Sequence, residues 1–238
     1  MLEFNAHDNI CLGNNCRLYD NVCIDKYTFI GDNVIIGYPK EIIIEQLQRE
    51  CRELGNFDIN AAKLDKTIIG ESCRIGPNVV IYSGTRIGNS TSIEDFCRIG
   101  FDCEIGCKSI LLYRAHICDR VRIGNNCRIA GFVCDGASIG NDTTTMGSLV
   151  HKYREPEKWG LIEDSPEIGD KVVIGYDAKI VGGLKIGNNS YIGAGAVVTR
   201  DVPPRTMVIG INQFASFEDW RGCMKGKYFW RWGYETPD

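Results

Sequence analysis

One aliphatic residue in every six organises most of this chain. Leu12, Leu18, Ile24, Ile30 and Ile36 are spaced by six, and Ile69, Ile75, Ile81, Ile87, Ile93, Ile99, Ile105, Leu111, Ile117, Ile123 and Ile129 repeat the spacing. After a disturbed stretch, Ile168, Ile174, Ile180, Ile186, Ile192 and Val198 resume it. An amphipathic helix repeats every ~3.6 residues and a strand every ~2, so neither produces this pattern. Glycine often follows the aliphatic residue, as in Ile69-Gly70, Ile87-Gly88 and Ile123-Gly124, and asparagine often comes next, as at Asn89 and Asn125. Both reach left-handed backbone angles at low cost, so each hexad is expected to carry its own corner. Four residues beyond the aliphatic position the side chain is small: Thr85, Thr91, Val121, Thr143, Ala178, Ser190 and Ala196, with Cys16, Cys73, Cys97, Cys103 and Cys127 in the same slot. A short strand, a corner and one inward aliphatic side chain describe one face of a prism. Three such faces make a coil of about eighteen residues, and stacked coils pair their strands ~4.8 Å apart.

The interruptions carry information because the repeat is strict. Between Ile36 and Ile69 the register is lost. Ile43, Leu47, Cys51 and Leu54 there follow helical spacing, with Pro39 before them and Gly55 after. This predicts a short amphipathic helix within an insertion at 38–66, packed on the outside of the prism. A second break, GSLVHKYREPEKWGLIEDSP, is polar and holds Pro156, Gly160 and Pro166. It predicts a projecting loop at 146–167 that carries His151 and Trp159. The β-helical domain is then expected to span 1–210. Residues 211–238 abandon the repeat and hold Phe214, Phe217, Trp220, Tyr228, Phe229, Trp230, Trp232 and Tyr234. An open solenoid needs a cover at its end, so this segment is expected to cap it or to pack against another subunit.

Composition narrows the function classes. A net charge of −4 does not suggest nucleic acid or an anionic membrane as the main partner. No stretch approaches the ~20 apolar residues of a membrane-spanning helix. The start lacks the basic and apolar regions of a secretory signal, so a cytoplasmic location is expected. Among twelve cysteines there is no C-x-x-C pair, which removes the main support for a zinc ribbon, and the five in the small-residue slot read as small buried hydrophobes rather than ligands or nucleophiles. Arg17, Arg74, Arg86, Arg98, Arg122 and Arg128 each precede an inward aliphatic residue and should point outward, with Glu104 stacked between Arg86 and Arg122. That interleaving favours a solvated face or an ion-pair ladder over a polyanion site.

On these hexads the chain resembles the hexapeptide-repeat acyltransferases, an all-β family of left-handed parallel β-helices; the handedness comes from the resemblance, since most parallel crossovers are right-handed. The match is closest in GSLVHKY and in PEIGDKVVIGYDAKIVGGLKIGNNSYIGAGAVVTRDVPP, which are similar to the signature of galactoside-, maltose- and related small-substrate O-acetyltransferases. The long run of coils before the loop is also similar to sugar-nucleotide N-acetyltransferases. The resemblance implies a homotrimer with active sites between neighbouring prisms. It also implies transfer of an acetyl group from acetyl-CoA to a hydroxyl or amine of a small, sugar-like acceptor, with no metal. His151 then corresponds to the general base, an imidazole with a free pKa near ~6.5 being largely neutral at neutral pH. Ala194, Thr199 and Arg200 correspond to the coenzyme A contacts, with Arg200 in place of the usual lysine. Trp159 is a candidate acceptor contact. Tyr176 replaces a small serine of the galactoside enzymes, and Gly131 replaces their asparagine ahead of an aromatic residue. Two other readings stay open: a non-catalytic β-helical scaffold, and a γ-class carbonic anhydrase using His116 and His151. The latter lacks the third zinc-ligating histidine, since Tyr153, Glu155 and Pro156 follow the second.

Overall fold

The computed structural model describes residues 9–19, 21–55, 64–152 and 163–210. Strands of mostly two or three residues line up in three parallel sheets of ten, nine and eight strands among the described residues, and each sheet takes every third strand of the chain until the last step of the ten-stranded sheet, which skips only one. The sheets are the faces of a triangular solenoid of about ten turns, in keeping with the left-handed β-helix implied by the resemblance. Register follows the hexads: Ile75 pairs with Ile93, Ile93 with Leu111, and Leu111 with Ile129. These side chains are fully buried and stack along the axis as one continuous core. Leu12 departs from the inward expectation and is 44% exposed. It lies in the terminal strand of its sheet and pairs on one side only.

Two polar ladders hold successive coils in register. In the small-residue slot, hydroxyls and thiols donate to a carbonyl of the next coil: Thr85 Oγ1 to Gly100 O at 2.7 Å, Thr91 Oγ1 to Gly106 O at 2.8 Å, and Cys103 Sγ to Cys118 O at 3.0 Å. The same Thr85 oxygen accepts from Cys103 N at 3.2 Å. Serine, threonine and cysteine share the slot because each is small and carries a donor that reaches this carbonyl of the next coil, whereas Val121 and Ala178 fill it by size alone. At one set of corners, carboxamide and carboxylate oxygens accept the backbone N–H of the coil before, as Asn89 does from Glu71 and Asn125 from Cys107.

The corner chemistry differs in one respect from the sequence expectation. Asparagine and glycine fill about half of the left-handed positions, Asn33, Asn126 and Asn189 among them, but other residues fill the rest, such as Ser90 (φ 58°), Phe96 (φ 60°) and Arg114 (φ 60°). The glycine after the inward aliphatic residue serves close approach instead. A β-carbon on Gly88 would lie 2.6 Å from the backbone nitrogen of Cys107 in the neighbouring coil. Coils at van der Waals distance leave no room there for any side chain.

The expected helix, α1, spans Glu41–Leu54 and ends at Gly55, whose left-handed φ of 70° lets its N–H cap Cys51 O. Leu47 is buried. Lys40, just before α1, bridges Asp65 at the far end of the insertion and Asp102 on the coil, both at 2.8 Å, and its ammonium lies 4.7 Å from the Phe101 ring centroid. Burial alone would lower the Lys40 pKa, but the hydrogen bonds to Asp102 and Asp65 outweigh it and hold the amine above its ordinary value. The outward stacking is as expected: Glu104 pairs in register with Arg86 and Arg122, with Arg122 Nε 3.6 Å from Glu104 Oε2. No helix among the described residues is long and apolar enough to cross a membrane.

Candidate active site

The coil continues through Ser148–Leu149 before the chain leaves it. Val150 N still donates to Ile180 O at 3.0 Å, and His151, half-buried, is the next residue. Lys152 then forms an antiparallel bridge to Asp164, so the described residues on either side of 153–162 meet. Residues 153–162, and with them Trp159, lie outside the described residues.

The stem formed by His151, Lys152 and Asp164 lies against Gly182 and Gly183 of the next coil. A β-carbon on Gly182 would fall 2.9 Å from the carbonyl carbon of His151 and closer still to Lys152 N and Asp164 O. Gly183 takes a φ of 74°, and a β-carbon there would lie 3.1 Å from Asp164 Cβ. The paired glycines of the closing signature therefore form the seat on which the histidine-bearing stem rests. They were legible in the sequence only as part of a matching string, not as a contact.

Register connects this seat to the cofactor candidates. Leu149 pairs with Ile180, and Ile180 with Val198. Val181 N donates to Val198 O at 3.2 Å. Leu149 therefore stands two coils, ~10 Å, from Val198 along the axis, with His151 two residues after the first and Arg200 two residues after the second. Ala194, Thr199 and Arg200 are exposed and line one open cavity of about 1210 Å³ in the last coils, with Val197, Pro203 and Met207 among its other walls. The structure thus gathers the three cofactor candidates into one cavity, which His151 itself does not line. Tyr176 projects outward, 74% exposed.

The remaining reactive groups are placed for structure. Burial pushes the thiols of Cys103, Cys118 and Cys134 up to about 12, and that of Cys97 to about 11. Few thiolates exist under such conditions, which does not suit a nucleophile. His116 packs edge-on to Phe132 at 5.4 Å between ring centroids, with its Nε2 3.5 Å from Arg98 Nη1. Among the described residues no three histidine, cysteine, aspartate or glutamate side chains come together as a metal site.

A solenoid of six-residue rungs is the pattern of the hexapeptide-repeat class. The bacterial transferase hexapeptide family, a pattern of six repeats, matches residues 66–101 and again 165–200, and the chain belongs to that family. The bifunctional protein GlmU of Carboxydothermus hydrogenoformans is 30% identical over 172 residues, covering 65% of this chain and 37% of that protein. GlmU of Geobacillus thermodenitrificans is 32% identical over 187 residues, covering 68% and 38%. The chain therefore spans less than half the length of the curated relatives it matches. A serine acetyltransferase from Neisseria gonorrhoeae, solved in complex with serine, shares 31% identity over 51% of this chain and 40% of that chain, with a TM-score of 0.31.

Proposed function

We propose that this chain transfers an acyl group, acetyl in the simplest case, from acetyl-CoA to a hydroxyl or amine of a small, sugar-like acceptor. The observation that carries the reading is the shared cavity of Ala194, Thr199 and Arg200, two coils from the strand that leads into His151. Its exposed guanidinium offers forked donors to phosphate oxygens, and its backbone-rich walls suit a pantetheine arm. In this reading His151 accepts the proton of the acceptor O–H or N–H while the acceptor's lone pair forms a bond to the thioester carbonyl carbon. The tetrahedral adduct expels the coenzyme A thiolate, which takes the proton from the imidazolium. The products are an ester or amide and free coenzyme A. No covalent enzyme intermediate is required, which fits the inert thiols. A homotrimer with sites between neighbouring prisms and a cytoplasmic setting complete the proposal. Trp159 would face the acceptor.

Thiol release from acetyl-CoA, screened against amino sugars and glycosides, tests it. Turnover on an identified acceptor should fall by about 10²–10⁴ in His151→Ala, the usual share of a general base. Wild-type turnover in that variant would remove His151 from the chemistry. Absence of any acetyl-CoA binding would favour the scaffold reading.

A further inference from the structure

The outer face of the nine-stranded sheet carries a cation set among aromatic rings. Arg98 pairs in register with His116, and His116 with Phe132, so the three occupy successive coils. The half-buried Arg98 guanidinium lies over the Tyr82 ring, 4.5 Å from its centroid, and its Nη1 is 3.5 Å from His116 Nε2. His116 is exposed and packs edge-on to Phe132. A guanidinium only donates, so His116 Nε2 accepts and the neutral ring carries its proton on Nδ1. Among the described residues no carboxylate lies within ion-pair distance of Arg98. The neighbouring carboxylates serve the corner ladder instead: Asp119 Oδ1 accepts from Phe101 N at 3.1 Å, and Asp135 Oδ1 from Asp119 N at 2.8 Å. An arginine held flat on a ring, with its charge unbalanced by the protein, is built to take an anion.

We propose that Arg98 and His116 bind an anionic group of the acceptor, which is then an extended saccharide carrying a phosphate or a carboxylate rather than a neutral sugar. Stacking on Tyr82 occupies the face of the guanidinium and leaves its forked edge for two oxygens, with little side-chain freedom left to lose. His116 adds a ring N–H donor, and Phe132 offers an apolar surface to the carbon face of a sugar ring. Phe132–Val133 pairs with Ser148–Leu149, the strand that leads into His151. His116 therefore stands two coils, ~10 Å, from that strand. One sugar ring does not span this distance, so the anion and the reacting hydroxyl or amine belong to different parts of a longer molecule. The same face continues through Ser148 and Lys179 to Val197, a wall of the cofactor cavity. Assigning the anion to the acceptor rests on the acyl-transfer reading; the anion site itself does not.

Binding measured apart from turnover tests the site. Pyrophosphate and trigalacturonate are the probes for the phosphate and the carboxylate source. In proton–carbon correlation spectra of the full chain, one of them should shift the His116 ring resonance saturably, and the probe that does so names the source. The chain has three histidines, so loss of the resonance in His116→Gln assigns it. Arg98→Gln should weaken probe binding about tenfold or more, the scale of a charge-assisted hydrogen bond, and leave acetyl-CoA binding as in wild type. Arg98→Lys, which keeps the charge and loses the fork, should recover part of the affinity. On an identified acceptor, Arg98→Gln should raise the acceptor KM by a similar factor with kcat nearly unchanged. A His116 resonance indifferent to both probes, or equal affinity in wild type and Arg98→Gln, would overturn the proposal. A changed oligomer mass in Arg98→Gln would overturn it as well, by making this face a contact between copies. Probe binding that needs Arg98, in a protein that releases no thiol from acetyl-CoA with any acceptor, would support the anion site and sink the acyl-transfer reading alone.

Discussion

Gly182 has no side chain because the backbone of His151 occupies the space a side chain would need. A β-carbon at 182 would stand 2.9 Å from the His151 carbonyl carbon, closer than real β-carbons approach, and its other neighbours are backbone atoms as well. Backbone cannot swing aside as a flexible side chain would, so Gly182→Ala must lift the stem that carries the imidazole. The coil beneath is held by the Ile180–Val198 register and by Val181 N to Val198 O, which the substitution leaves in place. The expected outcome is a near-native melting temperature with kcat reduced ~10²-fold, the scale reported for small misplacements of reacting groups. The KM for acetyl-CoA should change little. Steady-state kinetics beside thermal melting checks this, and native kcat in Gly182→Ala would show that the stem does not position the base.

The small-residue slot makes a different demand. Thr85 is fully buried, donates to Gly100 O at 2.7 Å and accepts from Cys103 N at 3.2 Å. Thr85→Val keeps the shape and leaves a buried carbonyl and a buried amide without that hydroxyl. It should cost about 1–3 kcal/mol, the penalty for unsatisfied buried polar groups. Thr85→Ser retains the hydroxyl, so its loss should be confined to one buried methyl. Denaturant unfolding of the two variants side by side gives the comparison, and equal stabilities would mean the hydroxyl ladder contributes nothing.

Thiol labelling separates the cysteines by place. Cys11 and Cys23 are exposed, whereas Cys103 and Cys134 are buried and their thiols, like that of Cys118, are held near 12 by desolvation. Reaction requires a thiolate that the reagent can reach. Brief iodoacetamide treatment of the native protein at mildly alkaline pH, followed by peptide mapping, should therefore modify Cys11 and Cys23 and spare Cys103, Cys118 and Cys134. Denaturation should equalise them. Rapid native labelling of Cys103 would contradict the packed-rung assignment.

The elements legible in the sequence were those that repeat. A six-residue period leaves few ways to bury Ile75, Ile93 and Ile129, and their observed stacking follows from it. Helix α1 was legible because Gly55 and the apolar spacing mark it locally. The role of glycine was misread in part. Spacing alone does not distinguish Gly88, which makes room for the next coil, from a residue needed for positive φ, and the left-handed corners accept even Phe96 and Arg114. The site was legible only through resemblance, since the contact between the His151 stem and Gly182 joins residues thirty-one apart through a departure from the period.

His116 supplies a dependence on pH whose sign follows from its surroundings. Desolvation lowers its pKa first, and the Arg98 guanidinium lowers it further; Asp119 and Asp135 pull the other way without prevailing. A base with a depressed native pKa binds fewer protons folded than unfolded between the two values. The unfolded state then gains protons first as the solution is acidified. Stability attributable to the neutral imidazole is complete above the ordinary value of ~6.5 and declines as the pH falls from there to the depressed native value. Asp119 acts in the opposite sense, since burial and then Asp135 raise its pKa. Both carboxylates remain in the variant, so the comparison is made against His116→Gln rather than in absolute terms. Over the acidic side of that window the wild-type melting temperature should fall more steeply than that of His116→Gln. Arg98→Gln, which removes the nearby positive charge, should give an intermediate slope. Parallel slopes for wild type and His116→Gln would show that His116 titrates no differently folded and unfolded, and that its contacts with Arg98 and Phe132 leave its proton affinity unchanged.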